Sequence, residues 1–310
     1  MSPSRNWPHT WTAWSPPLSP ERQGRHPLSI RTVGVVGAGT IGRGVAQAFA
    51  QAEYEVVLID VTDSRLDDAL SQIRRDLLVQ GMVAGSGAKE DPGTVLSRIR
   101  SATAPEALAD VDFVVENVTE HWDTKREVYE RIDTICRPGV IFGVNTSAVP
   151  ITRLASVTTR PESVIGLHFM NPVPLVDTVE VVRGHFTSEE TLDTALSLLR
   201  DLGKEGIVVQ DAPGFVTNRV LMLTVNEAVF CVQDQVATAA QVDQMFRGCF
   251  GHRMGPLETA DLIGLDTILN SITVMYESYR DSKYRPAPLL QKMVDAKLLG
   301  RKTGRGFYTY

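Results

Sequence analysis

Two features of this 310-residue sequence could do chemistry: a glycine-rich turn near residue 40, and a histidine placed 12 residues before a glutamate. Gly37-Ala38-Gly39-Thr40-Ile41-Gly42 follows a short β-like run and opens a helical stretch at 43–52. In such a turn the first glycine permits a tight reversal, the second lets a pyrophosphate approach the backbone, and the third lets helix and strand pack closely. The run Val56-Val57-Leu58-Ile59 then ends in Asp60, 18 residues beyond Gly42, where a carboxylate can accept both hydroxyls of an adenosine ribose. That acid repels a ribose 2′-phosphate, so the expected cofactor is NAD and not NADP, although Arg65 lies close in sequence. A glycine turn in a nucleotide-free α/β domain is the plainer alternative, and Asp60 counts against it.

His168 is the second feature. Taking a proton from an alcohol near neutral pH needs a base that titrates there, which suits histidine. Of the six histidines, His9 and His26 lie in an atypical leading stretch, His121 follows a strand, His185 is in a turn and His252 sits among helices. His168 ends the apolar run Val164-Ile165-Gly166-Leu167 and precedes Phe169-Met170-Asn171-Pro172-Val173-Pro174. The latter reads as a rigid loop at the carboxyl edge of a sheet, where open α/β sheets bind ligands. Glu180 falls in the next β-like run. A hairpin-like return would bring its carboxylate beside the imidazole, orienting the ring and stabilising its protonated form. The bland reading of His168 is a core histidine behind an apolar strand.

The elements that must position these residues show as alternating patterns. Apolar runs at 33–36, 56–59, 113–115 and 140–144 alternate with helical segments, the punctuation of βαβ units. Further β-rich runs at 164–167, 178–182 and 206–209 flank a helix expected at 188–202 and extend the same sheet. After Asp211-Ala212-Pro213-Gly214 the β-rich runs cease, and 216–236, 239–250, 261–279 and 288–298 read as helices. The expected fold class is therefore α/β: a Rossmann-like doubly wound domain at 31–212 followed by an all-α C-terminal domain at 213–310, with a ligand cleft between them. Residues 1–30 contain Trp7, Trp11 and Trp14 among six prolines and read as a disordered tail.

Composition narrows the function classes. With 43% hydrophobic and 22% charged residues the chain can bury a substantial core. A net charge of −6 argues against nucleic acid or anionic membrane as partner. No uninterrupted apolar stretch reaches the roughly 20 residues of a membrane span. Cys136, Cys231 and Cys249 form no CxxC pair, so neither a disulfide framework nor a metal site is expected. The expectation is a soluble, cytoplasmic protein.

Longer motifs sharpen this. Asn145-Thr146-Ser147, Gly166-Leu167-His168-Phe169-Met170-Asn171-Pro172-Val173-Pro174 and Pro213-Gly214-Phe215-Val216-Thr217-Asn218-Arg219 occur in one order with characteristic spacing. Met254-Gly255-Pro256-Leu257-Glu258, Ala260-Asp261-Leu262-Ile263-Gly264-Leu265-Asp266 and Gly300-Arg301-Lys302-Thr303-Gly304-Arg305-Gly306-Phe307-Tyr308 continue the series. In these motifs the chain resembles the short-chain (S)-3-hydroxyacyl-CoA dehydrogenase (3-hydroxybutyryl-CoA dehydrogenase) family over all but its first 30 residues. The resemblance implies reversible, NAD-dependent oxidation of an (S)-3-hydroxyacyl-CoA to the 3-ketoacyl thioester. It implies His168 as base, Glu180 as its partner, and Ser147 and Asn218 as holders of the substrate oxygen or thioester. It further implies Glu120 and Lys125 near the nicotinamide ribose, Asn171 beside the cofactor, Lys302 approaching from the C-terminal end, and a homodimer formed through the C-terminal domain.

The sequence departs from the family at Asn117 and Thr119, where alanine and a larger apolar residue are commoner, and at Arg253, where proline is. Two other functions remain open on the sequence. One is a dehydrogenase of hydroxyacyl groups carried on acyl-carrier protein in polyketide precursor synthesis. The other is a non-catalytic, crystallin-like binding protein, against which the intact Ser147, His168, Glu180 and Asn218 set argues. Arg74 and Arg75 suit either a CoA phosphate or an acidic carrier, and do not separate the two thioesters.

Overall fold

A computed structural model describes residues 30–84 and 90–310, so the segment expected to form a disordered tail lies almost wholly outside the described residues. From the amino end, strand and helix alternate: β1 (Thr32–Val36), α1 (Thr40–Gln51), β2 (Glu55–Ile59), α2 (Asp63–Ala84), α3 (Pro92–Ser97), β3 (Ile99–Ala102), β4 (Phe113–Glu116), α4 (Trp122–Ile135) and β5 (Ile141–Val144). There follow α5 (Ile151–Ala155), β6 (Val164–His168), β7 (Thr178–Arg183), α6 (Glu189–Asp201) and β8 (Glu205–Gln210). The strands form one eight-stranded sheet in the order β3-β2-β1-β4-β5-β6-β7-β8. Pairing is parallel from β3 through β6, antiparallel between β6 and β7, and parallel again between β7 and β8.

Helices cover both faces, which is why the inner strands read as nearly continuous apolar runs. Val56 and Leu58 of β2 face one core with Val45 and Phe49 of α1 and Ile73 of α2. Val57 and Ile59 face the other, with Ile132 of α4, Phe142 of β5 and Leu154 of α5. The chain order places β1 and β4 side by side at the point where the winding reverses, so the carboxyl ends of the strands border a crevice there.

The remaining chain is helical: α7 (Thr217–Gln233), α8 (Ala239–Phe250), α9 (Pro256–Ile263), α10 (Leu265–Tyr279) and α11 (Pro288–Asp295). Met222, Val225, Leu257, Ile268, Met275 and Tyr284 lie within a core of its own. One expectation needs correcting here. The single helix read at 261–279 is two, because Gly264 adopts φ of 105°, a left-handed value that ends α9 and turns the chain before α10. A second correction is β3, which the sequence reading left out. Its segment Ile-Arg-Ser-Ala has one buried apolar side chain, because an edge strand needs to cover little.

Candidate active site

At the crevice, Gly37 has φ of +94°, and a Cβ there would come within 2.8 Å of the Asn117 carbonyl oxygen. A Cβ on Gly42 would lie 1.7 Å from the Gly37 carbonyl oxygen, so the turn and the first turn of α1 can close only over glycine. At Gly39, by contrast, a Cβ would meet nothing within 4 Å. Thr40 and Ile41 open α1, whose N-terminal N–H groups favour negative charge. Asp60 ends the neighbouring strand; its Oδ2 accepts the Ala38 N–H and its Oδ1 the Val61 N–H, each at 2.7 Å. Gly37, Gly39, Asp60, Thr103, Asn117 and Val128 help line a cavity of about 550 Å³. Open space above Gly39, helix N–H groups beside it and an acid at the cavity wall fit the pyrophosphate and ribose of NAD.

His168 ends β6, and its register partner across the antiparallel pair with β7 is Glu180. Both are buried, each about 5% exposed. The imidazole Nδ1 lies 2.9 Å from Glu180 Oε2. Three further donors hold the carboxylate: the Thr217 hydroxyl at 2.7 Å on Oε2, and the N–H groups of Val216 and Thr217 at 2.8 and 3.1 Å on Oε1. Burial pushes the Glu180 carboxyl up, but the bonds from His168, Thr217 and Val216 together outweigh it and hold the group below the ordinary carboxylate range. An ionised carboxylate only accepts, so Nδ1 carries the shared hydrogen, and in the neutral ring Nε2 keeps its lone pair. That lone pair faces Ser147, whose Oγ is 3.1 Å away. The Asn218 amide, at the start of α7, donates to the Ser147 carbonyl at 3.0 Å. Strand ends of the sheet and the first helix of the second unit thus converge on one imidazole.

Two acids behind this group fix the segments that carry it. Glu120 Oε1 accepts the hydroxyl of Thr146 and the N–H groups of Ser147, Ala148 and Val149, gathering the turn that presents Ser147. Lys125 is wholly buried, and its ammonium bonds both oxygens of Glu116 at 2.9 Å and the Asn145 carbonyl at 3.0 Å. Burial pushes the Glu116 carboxyl above the ordinary carboxylate range, and Lys125 opposes that shift. Lys125 therefore ties the ends of β4 and β5 and leaves no charge to solvent. Asn171 is exposed on the loop after His168 and joins Pro172 through a cis peptide. Lys302 pairs with Asp266 inside the helical unit and, among the described residues, makes no hydrogen bond or ion pair to the sheet.

Two supporting residues carry no role in the expectations from sequence. Thr217 lies in one of the longer motifs and immediately precedes Asn218. Asn145 accepts the Phe169 N–H at 3.1 Å and donates to Asn117 Oδ1 at 2.9 Å, linking three strand ends. Its place at the end of an apolar run, like that of Asp60, was the available signal.

The fold and site define a dinucleotide-binding oxidoreductase with a Rossmann-like sheet and a helical second unit. Residues 32–212 match the family model described as 3-hydroxyacyl-CoA dehydrogenase, NAD binding domain, and residues 214–310 match its C-terminal domain. The chain belongs to the 3-hydroxyacyl-CoA dehydrogenase family, NAD-dependent oxidoreductases acting on CH–OH groups. It is 42% identical to a probable 3-hydroxybutyryl-CoA dehydrogenase of Bacillus subtilis, over 91% of this chain and 98% of that protein. A 3-hydroxybutyryl-CoA dehydrogenase of Bradyrhizobium diazoefficiens is 43% identical, over 91% of this chain and 96% of its own. The crystal structure of (S)-3-hydroxybutyryl-CoA dehydrogenase PaaH1 from Ralstonia eutropha superposes with a TM-score of 0.86 at 41% identity, covering 91% of this chain and 99% of that one.

Proposed function

We propose that this chain interconverts an (S)-3-hydroxyacyl-CoA of the 3-hydroxybutyryl type and its 3-keto product, with His168 as the base. The observation that carries the reading is the imidazole held between Glu180 on Nδ1 and Ser147 on Nε2. NAD, when bound, supplies the hydride acceptor. Gly37, Gly39, Thr40, Ile41, Gly42 and Asp60 would hold its pyrophosphate and adenosine ribose, with Asn171 assigned to the nicotinamide side and Lys302 approaching from the C-terminal end, while Glu120 and buried Lys125 support the nicotinamide side from behind by fixing the turn at Ser147 and the ends of β4 and β5. Nε2 takes the proton of the 3-hydroxyl, and Glu180 stabilises the imidazolium that results. Ser147 and Asn218 hold the substrate oxygen and thioester so that C3 is presented in one orientation. In the reverse direction the same imidazolium returns the proton.

Residues 31–212 form the cofactor domain in this reading, and 213–310 the substrate and dimerisation domain. Exposed Val220, Met245 and Phe250 on α7 and α8 support a homodimer through the helical unit. The exposed free thiol of Cys249 suits a reducing cytoplasm. No helix among the described residues is long and apolar enough to cross a membrane.

The deciding experiment compares NADH-dependent turnover of acetoacetyl-CoA with that of the same acyl group on acyl-carrier protein. Faster turnover of the CoA thioester is expected. Activity confined to the carrier-bound substrate would overturn the choice of thioester, and activity on neither would overturn the reaction.

A further inference from the structure

The chain from His168 to Glu180 leaves β6, runs through Asn171-Pro172-Val173-Pro174-Leu175-Val176 and returns as β7. Its inner wall is held by a residue far away in sequence. Lys204 follows α6 and precedes β8, and it is about 5% exposed. Its ammonium donates to the carbonyl of Val173 and to the carbonyl of Val176, both at 2.7 Å. Neither contact is with a carboxylate, so the charge is kept out of water to bind two backbone oxygens of this one loop. Burial lowers the Lys204 amine from the ordinary lysine range, with Asp177 opposing.

The loop so held touches both halves of the site. Leu175 and Val176 donate their N–H groups to the Pro172 carbonyl at 2.9 and 3.1 Å, folding the segment into a compact turn directly beyond Asn171. Val173, buried, packs against α1 so closely that a Cβ on Gly44 would lie 3.0 Å from the Val173 Cβ. Gly44 is two residues past the last glycine of the pyrophosphate turn. At the other end Glu205, next to Lys204, donates its N–H to the Asp177 carbonyl at 2.7 Å, where the loop enters β7.

We infer that Lys204 is a positioning residue for the reaction: by clamping the Val173 and Val176 carbonyls it sets the loop that joins His168 to Glu180 and braces it against the cofactor-binding helix. The inference rests on the reading of His168 as the base. A packed lysine that served stability alone would lower the melting temperature and leave the kinetic constants of the folded enzyme unchanged. A positioning lysine moves the constants themselves, since small displacements of a reacting group cost large factors in rate.

The test is Lys204→Met, which fills similar space without donors, assayed with NAD and 3-hydroxybutyryl-CoA well below its melting temperature. NADH affinity is measured in parallel by fluorescence titration, and hydrogen exchange is followed at Leu175 and Val176. The expected result is a fall in kcat of about tenfold or more, a rise of several-fold in KM for NAD and in the dissociation constant for NADH, and faster exchange at both amides. Lys204→Gln, which keeps a shorter neutral donor, should show smaller changes in the same direction, and it serves if the methionine variant does not fold. Wild-type kcat, KM and NADH affinity in either folded variant would overturn the inference, whatever the melting temperature. The absence of turnover in the unmodified enzyme would count against the reading of the site instead, and the NADH titration and exchange would still test the loop.

Discussion

Glu180 Oε2 and His168 Nδ1 stand 2.9 Å apart because the two residues are register partners across β6 and β7, the antiparallel pair of the sheet. Sheet hydrogen bonding sets the register that brings their backbones together. Glu180→Gln keeps the shape and removes the charge that stabilises the imidazolium, and its amide can offer a donor where Nδ1 needs an acceptor. We expect kcat to fall by about a hundredfold or more with little change in KM for NAD.

The same carboxyl leaves a mark on stability. Glu180 titrates below its ordinary value of 4.5 in the folded protein because its hydrogen bonds outweigh burial. A lowered acid contributes stability above its unfolded value and loses it as pH falls through the folded one. Thermal melts of the wild type should therefore show a steeper loss below pH 4.5 than melts of Glu180→Gln. Parallel curves for the two proteins would contradict this assignment.

Ser147 contributes at the other nitrogen. With its Oγ 3.1 Å from Nε2, it stands where a substrate hydroxyl would meet the base. Ser147→Ala removes one donor and opens little space, so the fold should hold while kcat falls about 10- to 100-fold. Asn218→Ala also loses the bond to the Ser147 carbonyl and should raise KM for the thioester as well. Steady-state kinetics with both substrates varied separates these outcomes.

The core pair Lys125–Glu116 matters chiefly to the framework. Lys125→Met would strand a carboxylate that is 0% exposed, at a cost of about 3–5 kcal/mol. Adding Glu116→Gln should recover much of that loss, since removing both charges also removes the cost of burying them. Urea denaturation of the single and double variants checks this, and a double variant no more stable than Lys125→Met would refute it.

How much of this was legible follows from what each pattern reports. The His168–Glu180 meeting could be read because two β-rich runs with a short loop between them favour an antiparallel return, and the partners end one run and sit in the next. Asp60 could be read because an acid ending an apolar strand is locally conspicuous. Lys125 could not: an amphipathic helix with a lysine looks the same whether the ammonium meets water or Glu116, and only the packing of α4 under β4 and β5 decides. Lys204 was hidden for the same reason, its carbonyl partners lying 28 and 31 residues away. The break at Gly264 was missed because the apolar period resumes immediately after it, while the decisive quantity is a backbone angle that periodicity does not encode.

Asp60 has two tasks that can be told apart. Its carboxylate holds the glycine turn through Ala38 and Val61, and it lines the cavity where a ribose would lie. Asp60→Asn keeps one carbonyl acceptor for the turn but loses the charge. If the acid served the turn alone, KM for NAD and for NADP would rise together and their ratio would stay constant. If it also faces the ribose, NAD loses a charge-assisted hydrogen bond and NADP loses a like-charge repulsion, so the two constants move in opposite directions. We expect KM for NAD to rise about tenfold, KM for NADP to fall, and the preference for NAD to shrink by more than tenfold. Arg65, 3.4 Å from Asp60 Oδ1 and mostly exposed, would then be free to meet the 2′-phosphate. Adding Arg65→Ala should cancel the gain for NADP while leaving KM for NAD near that of the single variant, and initial rates with both cofactors are sufficient to see it.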